Sequence, residues 1–278
     1  MNNYLIEKYR TIEITGNVIK KGYCVIDSRV HGLFACFYCI LYGLYICEME
    51  DLKPIVILDK KHLYFDEKKG DNVFEYFYRK QYRKDAAGLA VFPKITISDP
   101  GMFLQWCRVS TSEKLISNLL INRYFILKSA VLREIDQFTG TNFGAGRILG
   151  VHFRGTDKIK ETLVTDFDIY ENKIDLLLKQ AVCDKFFFAT DELSLKKYVK
   201  EKYKDKAIIY SLRGKYRDEN LTEGLHFVHE DPYLSALDAL VECYILARCS
   251  FLLSSSKSSM SLFATFINPD LFHLIIEP

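Results

Sequence analysis

Residues 150–158 read Gly150-Val151-His152-Phe153-Arg154-Gly155-Thr156-Asp157-Lys158 and follow directly on the apolar pair Ile148-Leu149. The pattern predicts a buried strand that runs into a polar loop. Ligand sites of open parallel sheets lie at such strand ends. The planar guanidinium of Arg154 suits a phosphate or diphosphate, which it can hold through two parallel bonds. Asp157, or Glu161 further along, could take a proton from an incoming hydroxyl. The alternative is a polar loop with a surface ion pair.

The second half of the chain alternates between apolar runs and amphipathic stretches. Strands are predicted at Ile148–Phe153, Lys185–Ala189, Ala207–Tyr210 and Phe251–Leu253, and helices at Asp168–Ala181, Ser194–Lys202, Tyr233–Arg248 and Ser261–Ile267. Strand–helix alternation of this kind predicts a parallel sheet with helices on both faces.

The first half begins with the same alternation. Tyr23–Asp27 and Lys53–Asp59 are predicted strands, and Leu33–Met49 is a predicted helix between them. Together they form one βαβ unit. A further helix is predicted over Ser112–Phe138, followed by a linker over Thr139–Gly146. We therefore expect an α/β protein of two domains, residues 1–138 and residues 139–278.

Composition excludes several classes of protein. The 278 residues carry a net charge of +2 and no block of about five or more consecutive Lys and Arg, so nothing indicates nucleic-acid binding. The N-terminus lacks the features of a signal peptide. The longest apolar run, Leu33–Cys47, is shorter than the about 20 residues of a spanning helix. The eight cysteines lie mostly in apolar surroundings, which predicts free thiols and a cytoplasmic location.

Two other predicted strands also end in polar residues. Thr190 and Asp191 follow one strand, and a serine run that contains Ser256, Ser258 and Ser259 follows another. Parallel strands bring these ends to one edge of the sheet. The serines open a helix, whose N-terminal amides can bind a phosphate. Each cluster alone has a simpler interpretation as a helix start or cap. Their joint placement with Arg154 favours a nucleotide-diphosphate pocket.

Two further residues are candidates for contacting the nucleoside. Glu242 lies away from the apolar face of its helix, where a carboxylate could accept from the N–H edge of a base. Guanine offers two such donors side by side and uracil only one, so guanine fits better. The alternative is a solvated glutamate. Arg213, just past the strand Ala207–Tyr210, could touch a base or ribose.

The second half of the chain, about residues 147–267, resembles the nucleotide-binding half of the fucosyltransferase superfamily. That superfamily includes α1,6-fucosyltransferases, nodulation-factor fucosyltransferases and protein O-fucosyltransferases. The segment from His152 to Lys158 resembles its first motif, the histidine–x–arginine loop. Phe188–Glu192 resembles the second motif, and Leu240–Ser259 resembles the third, an acidic helix followed by a strand and a serine-rich turn.

The resemblance implies a GT-B architecture, in which two Rossmann-like parallel-sheet domains face each other across a cleft. The first domain would bind the acceptor and the second the nucleotide sugar. The implied reaction is an inverting transfer without metal or other cofactor, from GDP-fucose to a hydroxyl of a glycan acceptor. Arg154 would hold the β-phosphate with His152 beside it, Ser258 would lie near the diphosphate, and Glu242 would read guanine. Asp157, Lys158 and Glu161 fall in the catalytic loop, where the base assignment stays open between Asp157 and Glu161.

Other functions remain open at this point. The donor could be UDP-xylose or another nucleotide sugar, because donor identity drifts easily on such scaffolds. Asp166-Phe167-Asp168 matches the D-x-D pattern that binds Mn²⁺ in another glycosyltransferase class, although it could also open a helix. A non-catalytic protein that binds nucleotide sugars is a different class again, and tight donor binding without turnover would favour it. A compact cytosolic enzyme, as in bacteria or large viruses, fits the chain length.

Overall fold

The computed structural model describes residues 12–15, 22–28, 32–80, 94–97, 111–154, 166–213 and 231–277. The chain divides into two compact units, Met1–Lys128 and Ser129–Pro278. Within the described residues, the first unit holds a four-stranded sheet and the second a five-stranded sheet, and helices accompany both. The predicted α/β fold class is therefore confirmed.

The N-terminal unit contains the predicted βαβ arrangement. Its described strands and helices are β1 (Ile12–Thr15), β2 (Tyr23–Ser28), α1 (Leu33–Met49), β3 (Lys53–Val56), α2 (Phe74–Phe77), β4 (Lys94–Ile97) and α3 (Thr111–Tyr124). The strand order is β1-β4-β2-β3. β2 runs parallel to both β3 and β4, whereas β1 runs antiparallel to β4. β2, α1 and β3 form the βαβ unit that the sequence predicts.

The helix α1 lies at the centre of the core of this unit and has the predicted bounds. Most of its residues are buried, because apolar side chains occupy its whole circumference. A Cβ atom at Gly43 would lie 2.7 Å from a methyl carbon of Ile26, so glycine lets α1 approach β2 closely. Cys36 and Cys39 of this helix are buried and, like the other cysteines that the structure describes, form no disulfide. No helix in the described ranges has both the length and the hydropathy to cross a membrane.

The C-terminal unit is a parallel sheet with helices between its strands. Its described elements are α4 (Ser129–Asn142), β5 (Ile148–His152), α5 (Phe167–Lys179), β6 (Lys185–Ala189), α6 (Leu193–Tyr203), β7 (Ala207–Ile208), α7 (Pro232–Ala247), β8 (Phe251–Ser255), α8 (Ser259–Ile267) and β9 (Phe272–Ile276). The strand order is β7-β6-β5-β8-β9, and every neighbouring pair is parallel.

Helices cover both faces of this sheet, as predicted. Val151 of β5 packs in one buried cluster with Ile174 of α5 and Val199 of α6. Gly150 faces the opposite side, where a Cβ atom would lie 3.0 Å from a methyl carbon of Leu246 in α7. Successive residues of a strand face opposite sides. Hence α5 and α6 lie on one face of the sheet and α7 lies on the other.

The connection between the two units differs from the prediction. The single helix predicted over Ser112–Phe138 is two helices, α3 and α4, because residues between them pair with another part of the unit. Tyr78 and Leu127 form an antiparallel bridge, which draws this stretch out of helical conformation. α4 then continues to Asn142, through the first half of the predicted linker. Its Thr139 hydroxyl accepts from Arg248 at 2.9 Å, so α4 belongs to the second unit and the boundary predicted after residue 138 falls inside it.

Candidate functional site

Three strands of the C-terminal unit end side by side. His152 at the end of β5 is in register with Ala189 of β6 on one side and with Ser254 of β8 on the other. Thr190 therefore leaves β6, and the serine run leaves β8, at the same edge of the sheet as Arg154 leaves β5. The predicted convergence of the three polar clusters is confirmed.

The strand order places a switch point between β5 and β8. From β5 the chain proceeds to β6 and β7 on one side, whereas from β8 it proceeds to β9 on the other. The connections leave these two neighbouring strands in opposite directions, which opens a crevice outside their carboxyl ends. Open α/β sheets bind ligands in this position. We refer to the space between the ends of β5 and β8 as the switch-point crevice.

His152 joins the two sides of the switch-point crevice. Its Nδ1 atom lies 2.9 Å from Oγ of Ser258 and 2.7 Å from Oγ of Ser261, both at the start of α8. The ring is buried. Burial lowers its pKa from 6.5 to about 3, and the positive charges of Arg154 and Lys196 add to the decrease. His152 is therefore neutral near pH 7 and serves as a hydrogen-bonding spacer.

The serine run contributes to the fold more than its sequence indicates. Ser258 is the N-cap of α8, and its hydroxyl accepts from the backbone N–H of Ser261 at 3.2 Å. Its own proton is then available to Nδ1 of His152. Ser256 donates to Glu277 at 3.0 Å, and Ser259 is the first residue of α8. The start of α8 thus lies at the crevice, where the positive end of a helix dipole favours an anion.

Thr190 and Asp191 form the turn after β6. The Thr190 hydroxyl is buried and accepts from the backbone N–H of Glu192 at 3.3 Å, which shapes the entry into α6. Burial raises the pKa of Glu192, and the charge of Asp191 raises it further. The charge of Asp191 also raises the pKa of Glu242, so this aspartate lies close to both glutamates. That Thr190 and Asp191 bind a nucleotide stays a prediction.

Arg154 is the last described residue of the polar loop after β5. Its side chain is partly exposed, and its charge acts on His152, which places it beside the switch-point crevice. The other predicted catalytic residues, Asp157, Lys158 and Glu161, lie outside the described residues. The structure thus places Arg154, the residue predicted to bind a phosphate, at the predicted strand end.

Arg213 is held by acidic residues of the fold. Its Nε donates to Asp238 at 3.0 Å, and its NH1 group donates to Glu134 at 3.0 Å. Its backbone N–H also donates to Asp238, at 2.6 Å. These bonds tie the chain after β7 to α4 and α7. The predicted contact of Arg213 with a base or ribose stays a prediction.

Glu242 is buried, so the alternative of a solvated glutamate is wrong. Its Oε1 accepts from Nζ of Lys196 at 2.8 Å, and both side chains are more than nine-tenths buried. Burial raises the pKa of Glu242 to about 7, against the opposing charge and hydrogen bond of Lys196. Glu242 is thus a buried, paired acid, and its contact with a base stays a prediction.

Lys196 was not predicted as a site residue. The α6 helix is rich in lysine, and such a helix normally lies on the surface. The helical periodicity could have identified it, because Lys196 lies three residues before the buried Val199 and therefore on the same face of α6.

The two aspartates of the D-x-D pattern open a helix. Asp166 is the N-cap of α5 and Asp168 lies in its first turn, and both are exposed. This is the second of the two interpretations that the pattern allows. In the parts of the chain that the structure describes, no three His, Cys, Asp or Glu side chains are grouped as metal ligands are. Metal-independent chemistry stays a prediction.

No protein-family model and no curated protein sequence matches this chain. Solved structures do match it. A NodZ α1,6-fucosyltransferase soaked with GDP-fucose has a TM-score of 0.57 and 14% sequence identity over 89% of this chain and 93% of that chain. The fucosyltransferase NodZ from Bradyrhizobium has a TM-score of 0.54 and 16% identity, over 88% and 92% of the two chains.

A plant enzyme gives a similar result. A mutant of Arabidopsis thaliana FUT1 in complex with GDP has a TM-score of 0.56 and 11% identity, over 99% of this chain and 74% of that chain. The chain therefore has the fold of these fucosyltransferases, and the α/β fold class that the resemblance implies is confirmed. That the two domains face each other across a cleft stays a prediction.

Proposed function

We propose that this protein is an inverting, metal-independent glycosyltransferase that moves a sugar, fucose as the first choice, from a guanosine-diphosphate donor to a hydroxyl of a glycan. The observation that carries the proposal is the switch-point crevice, where β5 ends at His152 and leads to Arg154 beside the N-terminus of α8. The solved structures with this fold include fucosyltransferases that hold GDP or were soaked with GDP-fucose. A crevice of this kind supports a nucleotide-sugar site.

The donor diphosphate would lie between Arg154 and the start of α8. Arg154 supplies a positive charge and a bidentate fork, and the first turn of α8 supplies amides and the positive end of its dipole. His152 is neutral and buried, so it holds the two sides of the crevice together without contributing a charge of its own. The base of the donor nucleotide would then extend toward Glu242.

The chemical step would use the loop after Arg154. Asp157 or Glu161 takes the proton of the acceptor hydroxyl while its oxygen forms a bond to the anomeric carbon of the sugar. The bond from that carbon to the diphosphate breaks on the opposite side, which inverts the configuration. The leaving diphosphate gains negative charge, which Arg154, Lys158 and the amides of α8 stabilise. No metal takes part in this scheme.

The acceptor would be selected by the N-terminal half of the chain. This half carries its own parallel strand pairs, whose carboxyl ends are a second place for a ligand in an α/β fold. The resemblance supports the C-terminal half as the donor side. The N-terminal unit, residues 1–128, is thus proposed as the acceptor side.

A thermal-shift panel tests the donor class. GDP, GDP-fucose, UDP and UDP-xylose are added separately to the purified protein, and a transfer assay on a glycan mixture follows with each sugar. A ligand at 100 times its Kd stabilises a protein by about 2.7 kcal/mol, so specific binding gives a clear shift. We expect GDP and GDP-fucose to shift the transition and fucose to be transferred. Binding without transfer would indicate a non-catalytic binding protein, and the absence of any shift would contradict the proposal.

A further inference from the structure

The buried pair of Lys196 and Glu242 connects two helices that lie on opposite faces of the sheet. Lys196 lies in the first turn of α6, whereas Glu242 belongs to α7. Their side chains meet at 2.8 Å with exposed fractions of 6% and 7%. The charge of Lys196 lowers the pKa of His152, and the charge of Asp191 raises the pKa of Glu242. The pair therefore lies over the carboxyl edge of the sheet, next to the switch-point crevice.

A second buried acid on α7 shows what a purely structural carboxylate looks like in this protein. Asp238 lies one turn before Glu242, and both its oxygens accept from Arg213, one from the backbone N–H and one from Nε. Glu242 accepts from Lys196 through Oε1. Among the residues that the structure describes, no other donor to its carboxylate is found. The carboxylate of Glu242 can therefore still accept hydrogen bonds from a ligand, whereas both oxygens of Asp238 already accept from Arg213.

A buried ion pair is weak evidence for a stabilising role. Replacing a buried ion pair by apolar side chains of similar size is often neutral or stabilising, whereas removing one partner is costly. Without Lys196, burial and the charges of Asp238 and Asp191 would all favour the protonated form of Glu242. With Lys196, the pKa of Glu242 is still raised, to about 7. Lys196 is therefore the group that opposes neutralisation of this carboxylate.

The order of polar groups in the pair matches one base. An ammonium beside a carboxylate presents a donor followed by two acceptors. The Watson–Crick edge of guanine presents an acceptor, O6, followed by two donors, N1–H and the N2 amine. Uracil presents an acceptor on each side of a single N–H, so one of its carbonyls would face a carboxylate oxygen. Adenine places its amine where the ammonium would need an acceptor.

We infer that Lys196 is a specificity-determining residue of the donor site, which holds Glu242 as an oriented carboxylate so that the pair selects a guanine base. The inference rests on the proposed nucleotide-sugar function and deepens it. Lys196 positions Glu242 and keeps it ionised, in addition to offering its own ammonium to O6, so its effect on the choice of base depends on pH. A hydrogen bond from the N2 amine to an ionised Glu242 favours GDP over inosine diphosphate, which lacks that amine, by about tenfold or more.

The test measures Kd for GDP, inosine diphosphate and UDP by titration calorimetry between about pH 5.5 and 9. In the wild-type protein the preference for GDP should be largest above pH 7 and should decrease below it, as Glu242 takes up a proton. In Lys196→Gln the preference should vanish at pH 7 and return at higher pH. Lys196→Arg, which keeps the charge, should retain it. Lys202→Gln is the matched control, because Lys202 lies on the same helix but pairs with Glu171 at the surface.

The outcomes separate this inference from the proposed function. A wild-type protein that binds no nucleoside diphosphate would contradict the function itself. A wild-type protein that binds UDP more tightly than GDP, or a preference for GDP that is independent of pH, would overturn the role of the pair and leave the transferase proposal intact. The wild-type pH profile needs no substitution, so it decides the question even if Lys196→Gln fails to fold.

Discussion

The imidazole of His152 and the hydroxyl of Ser258 form a hydrogen bond of 2.9 Å across the switch-point crevice. This bond joins the carboxyl end of β5 to the N-cap of α8, the two elements from which the proposed diphosphate site is built. The same hydroxyl also accepts from the first turn of α8. One side chain therefore fixes both the helix start and its distance from the strand.

Substitution of Ser258 by alanine should destabilise the protein. The variant loses the N-cap of α8 and one bond to a buried imidazole, and the free energy of unfolding should decrease by about 1–2 kcal/mol. Ser256→Ala is the matched control, because Ser256 bonds Glu277 at the surface and its loss should change stability by less than about 0.5 kcal/mol. Denaturant unfolding of the two variants measures the difference. Equal stabilities would show that the capping bond has no energetic importance.

His152 should make the protein sensitive to acid. Its pKa is lowered from 6.5 to about 3 in the folded state, so the unfolded chain binds a proton at a pH where the native ring does not. The contribution of the neutral His152 ring to the free energy of unfolding is fully present above about pH 6.5 and is lost as the pH falls toward 3. In this window the wild type should lose stability more steeply than His152→Gln, by up to about 1.4 kcal/mol per pH unit.

Guanidinium unfolding at a series of pH values measures that slope. The buried His62 of the N-terminal unit also has a lowered pKa, and it contributes with the same sign in both proteins. The difference between wild type and variant therefore isolates His152. Parallel curves for the two proteins would mean that the native ring is protonated in the same range as in the unfolded chain.

The catalytic base should be identified by substitutions in the loop after Arg154. Asp157→Asn and Glu161→Gln each remove one candidate carboxylate without adding bulk. The variant that lacks the base should lose kcat on the order of 10²-fold or more, and the acidic limb of its pH–rate profile should disappear. Its affinity for GDP should stay close to that of the wild type. If both variants retain wild-type kcat, the base lies elsewhere.

Transfer should continue without divalent cations. The proposed scheme stabilises the leaving diphosphate with Arg154, Lys158 and helix amides, so EDTA should leave the rate unchanged. Asp168→Asn should be equally harmless, because Asp168 lies exposed in the first turn of α5. Initial rates in EDTA and in Mn²⁺ provide the measurement. A rate that EDTA abolishes and Mn²⁺ restores would favour the metal-dependent alternative.

Local sequence patterns predict most of the C-terminal unit. The strand Lys185–Ala189 and its neighbours are apolar runs between polar turns, and the alternation with helices identifies a parallel sheet. The edge strand β9 was not predicted, because a short edge strand depends on its partner. It pairs with β8, and His273 lies 2.8 Å from the Ser254 hydroxyl. The break between α3 and α4 likewise depends on a bridge to Tyr78, far away in sequence.

The sequence predicts the site residues that lie at strand ends. It does not predict those whose position depends on contacts with residues far away in sequence. His152 ends a strand and Arg154 follows it, and the position of both comes from the alternation alone. The burial of Lys196 depends on Glu242, which is 46 residues away, so a local pattern reports only a charged helix. The hydrogen bond between Ser258 and His152 likewise depends on the fold, because the two residues are 106 positions apart.

The most direct test of the account compares the binding of GDP and GMP to the wild type and to Arg154→Ala. Arg154 is proposed to hold the β-phosphate, so the wild type should bind GDP at least about tenfold more tightly than GMP. Arg154→Ala should lose that preference, and its kcat should fall on the order of 10²-fold. Arg133→Ala, an exposed arginine of α4, controls for the change in net charge. An Arg154→Ala protein that still prefers GDP by the wild-type factor would contradict the account.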